Sequence, residues 1–216
     1  MIVYAGSLVN PALLENAKPG CEIYDSARLH LDQVMDLMIP AALAGQRVVR
    51  LHTGDPSIYG AIREQMDRLD AAGVEYEVCP GVSSFCGAAA ALKKEYTLPG
   101  VSQTLILTRM EGRTPVPEGE RIRALAAHGA SMALFLSASM LEKLQAELLA
   151  GGDDARRVGL KGYDESTPCA IVYKATWPDE IKIETTLGSL AQAAADAGIT
   201  KTALILVGGF LGDEYE

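Results

Sequence analysis

The chain has 216 residues, 49% of them hydrophobic and 22% charged, which fits one large or two small folded domains and excludes a disordered or low-complexity chain. Its formal charge of −9 argues against a surface built to grip nucleic acid. No run of 18 uncharged apolar residues marks a membrane span, and the N-terminus MIVYAGSLVN lacks the basic start and apolar stretch of a signal peptide.

Short β-branched and apolar runs recur along the chain, each the length of a buried strand. They are Ile2-Val3-Tyr4, the run 47–51, Val74 to Val78, Thr104 to Leu107, Ala133 to Leu136, Ala170 to Tyr173 and Ala203 to Val207. Helical spacing separates most of them. Leu31 to Leu43 carries apolar residues at Leu31, Val34, Leu37 and Met38, with Pro40 expected to end or kink the helix. Ile58 to Leu69 repeats the pattern through Ile62 and Met66, and Gly73 is placed to stop it. Leu141 to Leu149 and Leu187 to Ala197 complete the helices. Alternating strands and helices predict an α/β fold with mostly parallel strands, turning to a mixed sheet in the second half, where the runs 170–173 and 181–185 lie close together.

The segment RMEGRTPVPEGE, 109–120, is rich in proline, glycine and charge and breaks the rhythm. It reads as a linker or a functional loop. A split there predicts an N-terminal α/β domain over 1–110, a linker over 111–118 and a C-terminal α/β domain over 119–216. Four scattered cysteines with no CxxC pair read as reduced thiols. The histidines His30, His52 and His128 have no metal spacing, and no GxSxG, Walker or GxGxxG sequence is present, so no metal of the protein's own is expected.

Ligands of parallel α/β sheets bind beyond the carboxyl ends of strands. Four loops therefore stand out. In His52-Thr53-Gly54-Asp55-Pro56-Ser57-Ile58-Tyr59, Gly54 permits close backbone approach and Asp55 can accept hydrogen bonds, with Pro56-Ser57 placed to open a helix. Cys79 to Ser84 precedes an alanine-rich helix that Ser83 or Ser84 can cap. Arg109 and Arg113 sit on the irregular loop, where paired guanidinium groups suit carboxylates, and Lys174 follows the strand ending at Tyr173. Each loop taken alone is equally consistent with plain turn chemistry or a solvated charged loop.

Taken in order, HTGDPSIYGAI, CPGVSSF, QTLILTRMEGRTPVPE, ALFLSAS and IVYKATWPDE resemble the tetrapyrrole (corrin/porphyrin) methyltransferases of the cobalamin pathway, nearly from Met1 to Gly209. TRMEGRTPVPE and YKATWPDE are the most specific stretches. The resemblance implies two α/β domains with an intervening active-site cleft, a homodimer, and S-adenosylmethionine as methyl donor, and the reduced cysteines lead to the expectation of a cytoplasmic protein. It implies methyl transfer to carbon 11 of precorrin-4 or cobalt-precorrin-4. By motif match the donor would contact Gly54, Asp55, Ser57, Ile58, Tyr59, Ser83, Ser84, Leu136, Tyr173, Ala175, Thr202 and Ala203. Arg109, Arg113 and Lys174 are expected to pair with substrate carboxylates. Relatives open with a strand and a GxGPGDP loop. Here Met1 to Val9 matches the strand after that unit, so the unit is expected to be missing from the chain. Two further readings stay open: a sister methyltransferase acting at another ring position, and a non-catalytic tetrapyrrole- or S-adenosylmethionine-binding subunit.

Overall fold

A computed structural model describes residues 1–212. Internal contacts divide the chain into two units, Met1–Ser84 and a second beginning at Phe85.

In the first unit, β1 (Ile2–Tyr4), β2 (Ile23–Asp25) and β3 (Val49–Leu51) form a parallel sheet in the order β2-β1-β3, with Val3 opposite both Tyr24 and Arg50. Helix α1 (Leu31–Leu43) bridges β2 and β3. It starts at a capping box, in which the His30 N–H donates to Gln33 Oε1 at 3.1 Å, and Asp32 lies in its positive first turn. Pro40 does not end it; the helix runs on to Leu43, and Gly45 takes the left-handed turn at φ +78°. Val34, Met35 and Met38 of α1 pack with Val3 and with Leu69 of α2 (Arg63–Ala71) to make the unit's core.

Two further expectations change in this unit, and one strand comes without any. The helix predicted from Ile58 begins only at Arg63, because Tyr59 and Ala61 have φ of +57° and +51°, which an α-helix cannot contain. Val74 to Val78 has strand composition but pairs with no strand and is largely exposed. A strand exists only through its partners' hydrogen bonds, so composition is not enough. Conversely β2 has strand-favouring Ile23 and Tyr24 in a run too short to stand out from its polar neighbours, and pairing with β1 makes it a strand.

The second unit begins within α3 (Ser84–Leu92) and is built on a five-stranded sheet. Its strands are β4 (Leu105–Arg109), β5 (Ser131–Phe135), β6 (Pro168–Tyr173), β7 (Ile181–Thr186) and β8 (Ala203–Val207), in the order β4-β5-β8-β6-β7. β4 and β5 are parallel; β8 runs antiparallel to both β5 and β6, and β7 antiparallel to β6, so this sheet is mixed. The segment 111–118 lies after β4, which shares this sheet.

Side chains alternate across the sheet as the pleat requires. Met132, Leu134, Ile171, Ile205 and Val207 enter one core with α4 (Ile122–Ala126), α5 (Leu141–Arg157) and α6 (Leu190–Asp196). Ala133, Ala170, Val172, Leu204 and Leu206 enter the other with α3, Tyr96 and Phe210. Helix α5 outruns the predicted Leu149 through Gly151 and Gly152. These glycines face packed backbone. A Cβ on Gly151 would fall 2.3 Å from the Arg123 carbonyl oxygen, and one on Gly152 would fall 2.0 Å from that of Tyr163. Helix propensity is sacrificed there for close packing. Among the described residues no helix is long and apolar enough to cross a membrane.

Candidate active site

In the first unit the loop after β3 is folded around one carboxylate. Asp55 Oδ1 accepts the Ser57 N–H at 2.9 Å and the Ser57 hydroxyl at 2.5 Å, while Oδ2 accepts the Gly81 N–H at 2.9 Å. Those three donors, the Ser57 hydroxyl foremost, hold the Asp55 carboxyl below its ordinary range, so it is ionised at neutral pH. The clamp joins the loop after β3 to the segment before α3, and the two backbones touch. A Cβ on Gly81 would lie 2.1 Å from the Gly54 carbonyl oxygen, and one on Gly54 only 3.3 Å from Ser83 Cα. Gly54 also has φ +60°. Ser83 is buried beside it, and α3 begins at Ser84. Pro56-Ser57 opens a turn rather than a helix, with the Ile58 N–H bonded to the Asp55 carbonyl at 3.2 Å. Tyr59 follows, left-handed and 44% exposed.

His52 lies half-buried beside this loop. Burial first, and the Arg50 charge second, keep its pKa low, so it is neutral at pH 7. Arg50 itself donates to the Val3 carbonyl at 3.1 Å and to Gln65 Oε1 at 3.2 Å, a structural pairing.

In the second unit β4, β5 and β6 all end at one sheet edge, where β8 begins. This edge gathers Arg109, Leu136, Tyr173, Lys174, Ala175, Thr202 and Ala203. Tyr173 pairs with Ala203, and the Lys174 N–H donates to the Thr202 carbonyl at 3.0 Å. Four non-glycine residues here have left-handed backbones: Leu136 at φ +51°, Lys174 at +46°, Thr176 at +71° and Thr202 at +57°. Each costs of order 1–3 kcal/mol, and such strain concentrates at functional sites. Leu136, strained and 62% exposed at a strand end, offers an apolar surface.

The three expected substrate cations differ sharply. Lys174 is engaged within its own loop. Its ammonium pairs with Asp179 and lies 5.1 Å from the Tyr173 ring centre and 5.0 Å from that of Trp177. The Asp179 contact, with the Tyr173 hydroxyl next, raises its pKa. Arg109 spends its guanidinium on backbone carbonyls of Met110, Thr114 and Pro115. Arg113 is exposed and pairs with no other described residue.

Two contributors escape sequence reading. Ser137 is fully buried; its Oγ accepts the Met110 N–H at 2.9 Å and donates to the Phe135 carbonyl at 2.7 Å, tying the ends of β4 and β5 together. Glu180 accepts the Thr176 N–H at 2.7 Å and braces the Lys174 loop. Serine after ALFL and acid after TWPD are visible as residues, but their targets lie 27 and four positions away and only folding aligns them. Glu111 and Val116 line an open depression of about 230 Å³ with Arg121, Lys143 and Glu147, whose mixed charges select neither sign of ligand.

Among the described residues no group of three or more acidic, histidine or cysteine side chains is placed to hold a metal. The first unit's cluster offers backbone amides and carbonyls on small residues, and the second unit's offers strand-end backbone and one exposed leucine. Arg113, which pairs with no other described residue, suits an anionic partner.

Comparison with known proteins bears on this chemistry. A family model for tetrapyrrole (corrin/porphyrin) methylases matches residues 1–191. The chain is 52% identical over 215 residues to the cobalt-precorrin-4 C(11)-methyltransferase of Methanocaldococcus jannaschii, which spans 100% of this chain and 79% of that protein. It is 44% identical over 213 residues to the precorrin-4 C(11)-methyltransferase of Rhodococcus erythropolis, across 98% of this chain and 81% of that protein. The solved structure of a cobalt precorrin-4 methyltransferase, a cobalamin biosynthetic enzyme, superposes with a TM-score of 0.89 at 46% identity, covering 97% of this chain and 84% of that one.

Proposed function

This chain belongs to the tetrapyrrole (corrin/porphyrin) methylase family, and from that premise we propose that it transfers a methyl group from S-adenosylmethionine to carbon 11 of precorrin-4 or cobalt-precorrin-4. One observation carries the reading: 52% identity to a cobalt-precorrin-4 C(11)-methyltransferase along the whole chain.

The residues present fit the donor. Gly54, Asp55, Ser57, Ile58, Tyr59, Ser83 and Ser84 belong to a loop pair that Gly54 and Gly81 let close backbone to backbone, held by the Asp55 clamp. Leu136, Tyr173, Ala175, Thr202 and Ala203 supply strained backbone and apolar contact suited to a purine and a short aliphatic chain. We assign these residues to the donor. When bound, it supplies a methyl already activated on a sulfonium. The protein's own share is to align reactants and to exclude water. An electron-rich carbon of the reduced macrocycle needs no strong protein base, consistent with a site that pairs no nucleophile with a histidine. Arg113 takes a substrate carboxylate and fixes the ring's orientation. Lys174 and Arg109, with their charges engaged, shape the loops instead. The same reading makes the working form a cytoplasmic homodimer; sedimentation of the purified chain tests its stoichiometry.

The test is calorimetric titration of S-adenosylhomocysteine, followed by turnover of precorrin-4 and its cobalt form with labelled S-adenosylmethionine. One-site binding and a product carrying the label at carbon 11 are expected. Label at another carbon makes the chain a sister methyltransferase. Tetrapyrrole binding with no transfer makes it a binding subunit.

A further inference from the structure

Arg109 ends β4, and its side chain folds back over the loop that follows. Nη1 donates to the Met110 carbonyl at 3.1 Å and the Thr114 carbonyl at 3.2 Å; Nη2 donates to the Thr114 carbonyl at 3.2 Å and the Pro115 carbonyl at 3.3 Å. The fork thus closes a ring from residue 109 to residue 115. That ring has little else to hold it. Among the described residues no backbone–backbone hydrogen bond starts or ends at residues 111–116, and Pro115 has no N–H to give. Its entry is fixed, since the Met110 N–H is bonded to buried Ser137 and the Met110 side chain is in the core. Its exit is fixed by the 3-10 turn Glu118–Glu120 and by Ile122 in the core. Between these anchors the guanidinium replaces the missing backbone bonds.

Arg113 sits inside that ring, exposed and paired with no other described residue. Two arginines four positions apart, one engaged inward and one facing solvent, are not two copies of one role. We propose that Arg109 is a positioning residue which, by clasping three loop carbonyls, presents Arg113 to the substrate and does not itself bind it. The substrate half of this statement rests on the tetrapyrrole reading above. Lysine cannot take the place of Arg109, because a single ammonium on a flexible stem lacks the planar fork that spans residues 110, 114 and 115. Clasping a loop ahead of binding lowers the ordering cost at binding, which appears in substrate affinity and not in donor affinity.

Three variants of the full chain test this: Arg109→Lys, Arg113→Ala and the double variant. Backbone nitrogen-15 order parameters of residues 111–114 and 116, which keep an N–H, are expected to fall from about 0.85 to below about 0.6 in Arg109→Lys and to stay at the parent values in Arg113→Ala. In turnover, KM for the tetrapyrrole rises roughly tenfold or more in each single variant, Kd for S-adenosylhomocysteine stays within twofold, and the double variant is no worse than Arg113→Ala. Unchanged order parameters in Arg109→Lys overturn the clasp. Losses that multiply in the double variant overturn the positioning role, since Arg109 would then act independently of Arg113. If the parent chain turns over no tetrapyrrole, the functional reading fails instead. The order-parameter comparison, which needs no substrate, then decides the clasp alone. A melting temperature held near the parent's shows that the variants fold, and Arg109→Gln serves as a second test should the lysine variant not.

Discussion

Replacing Gly54 by alanine tests whether the loop after β3 is a ligand cradle. Gly54 has φ +60°, where an L-residue costs about 1–2 kcal/mol. The new Cβ would lie 3.3 Å from Ser83 Cα and 3.4 Å from the Ser84 nitrogen, backbone atoms that cannot swing away as a side-chain tip can. The variant relieves both by leaving the left-handed conformation or by parting the two loops. A ligand that needs the original geometry must restore it, so affinity for S-adenosylhomocysteine falls by roughly 5- to 30-fold, the equivalent of 1–2 kcal/mol. Gly73 is the control. It has φ +68°, a similar conformational penalty, but nothing lies within 4 Å of its Cβ position, and it follows α2 away from the loop. Gly73→Ala shifts the melting temperature by about 2–4 °C per kcal/mol lost and leaves binding unchanged. Calorimetry on both variants is the assay. Gly54→Ala binding within twofold of the parent, or an equal loss in Gly73→Ala, refutes the cradle.

Gly152→Ala should cost about 1–3 kcal/mol or more in a urea melt, because its Cβ would overlap the Tyr163 carbonyl. Gly112→Ala, with open space around it, should be close to neutral. The Asp55 clamp contributes above the ordinary carboxylate pKa of 3.8 and is lost as pH falls through the lower value of the folded state. Stability measured from pH 5 down to pH 2 should therefore fall less steeply in Asp55→Asn, and the same variant should bind S-adenosylhomocysteine more weakly than the parent at pH 7; an unchanged affinity removes the clamp from the site. A disulfide reagent should label exposed Cys79 and Cys86 in the native chain, whereas Cys169, buried and with its thiol pKa pushed far up by desolvation, should react only after unfolding.

Much of this protein is legible before folding is considered. The alternation of apolar runs and helical spacing announces an α/β chain, because periods of 2 and 3.6 are imposed by local backbone geometry that the residue order must match. Tyr173 and Ala203, Leu134 and Ile205 fall on the expected strands for that reason. The loops at strand ends are legible too, since glycine, proline and short polar residues declare irregular backbone. Pairing is what local sequence leaves open. Val74 to Val78 has the composition of a strand and no strand partner among the described residues, while Ile23–Asp25 is too short a run to stand out and pairs with β1. The helix at Arg63 starts late because Tyr59 and Ala61 turn left-handed within a loop held by Asp55. Charge is the clearest case. Arg109, Arg113 and Lys174 look alike in the sequence, as cations on loops. Only the tertiary structure engages two of them, one on carbonyls up to six positions along the chain and one between Asp179 and two aromatic rings, and leaves the third exposed. A charge's role is set by the partners that folding brings within about 3 Å, and residue identity does not encode those.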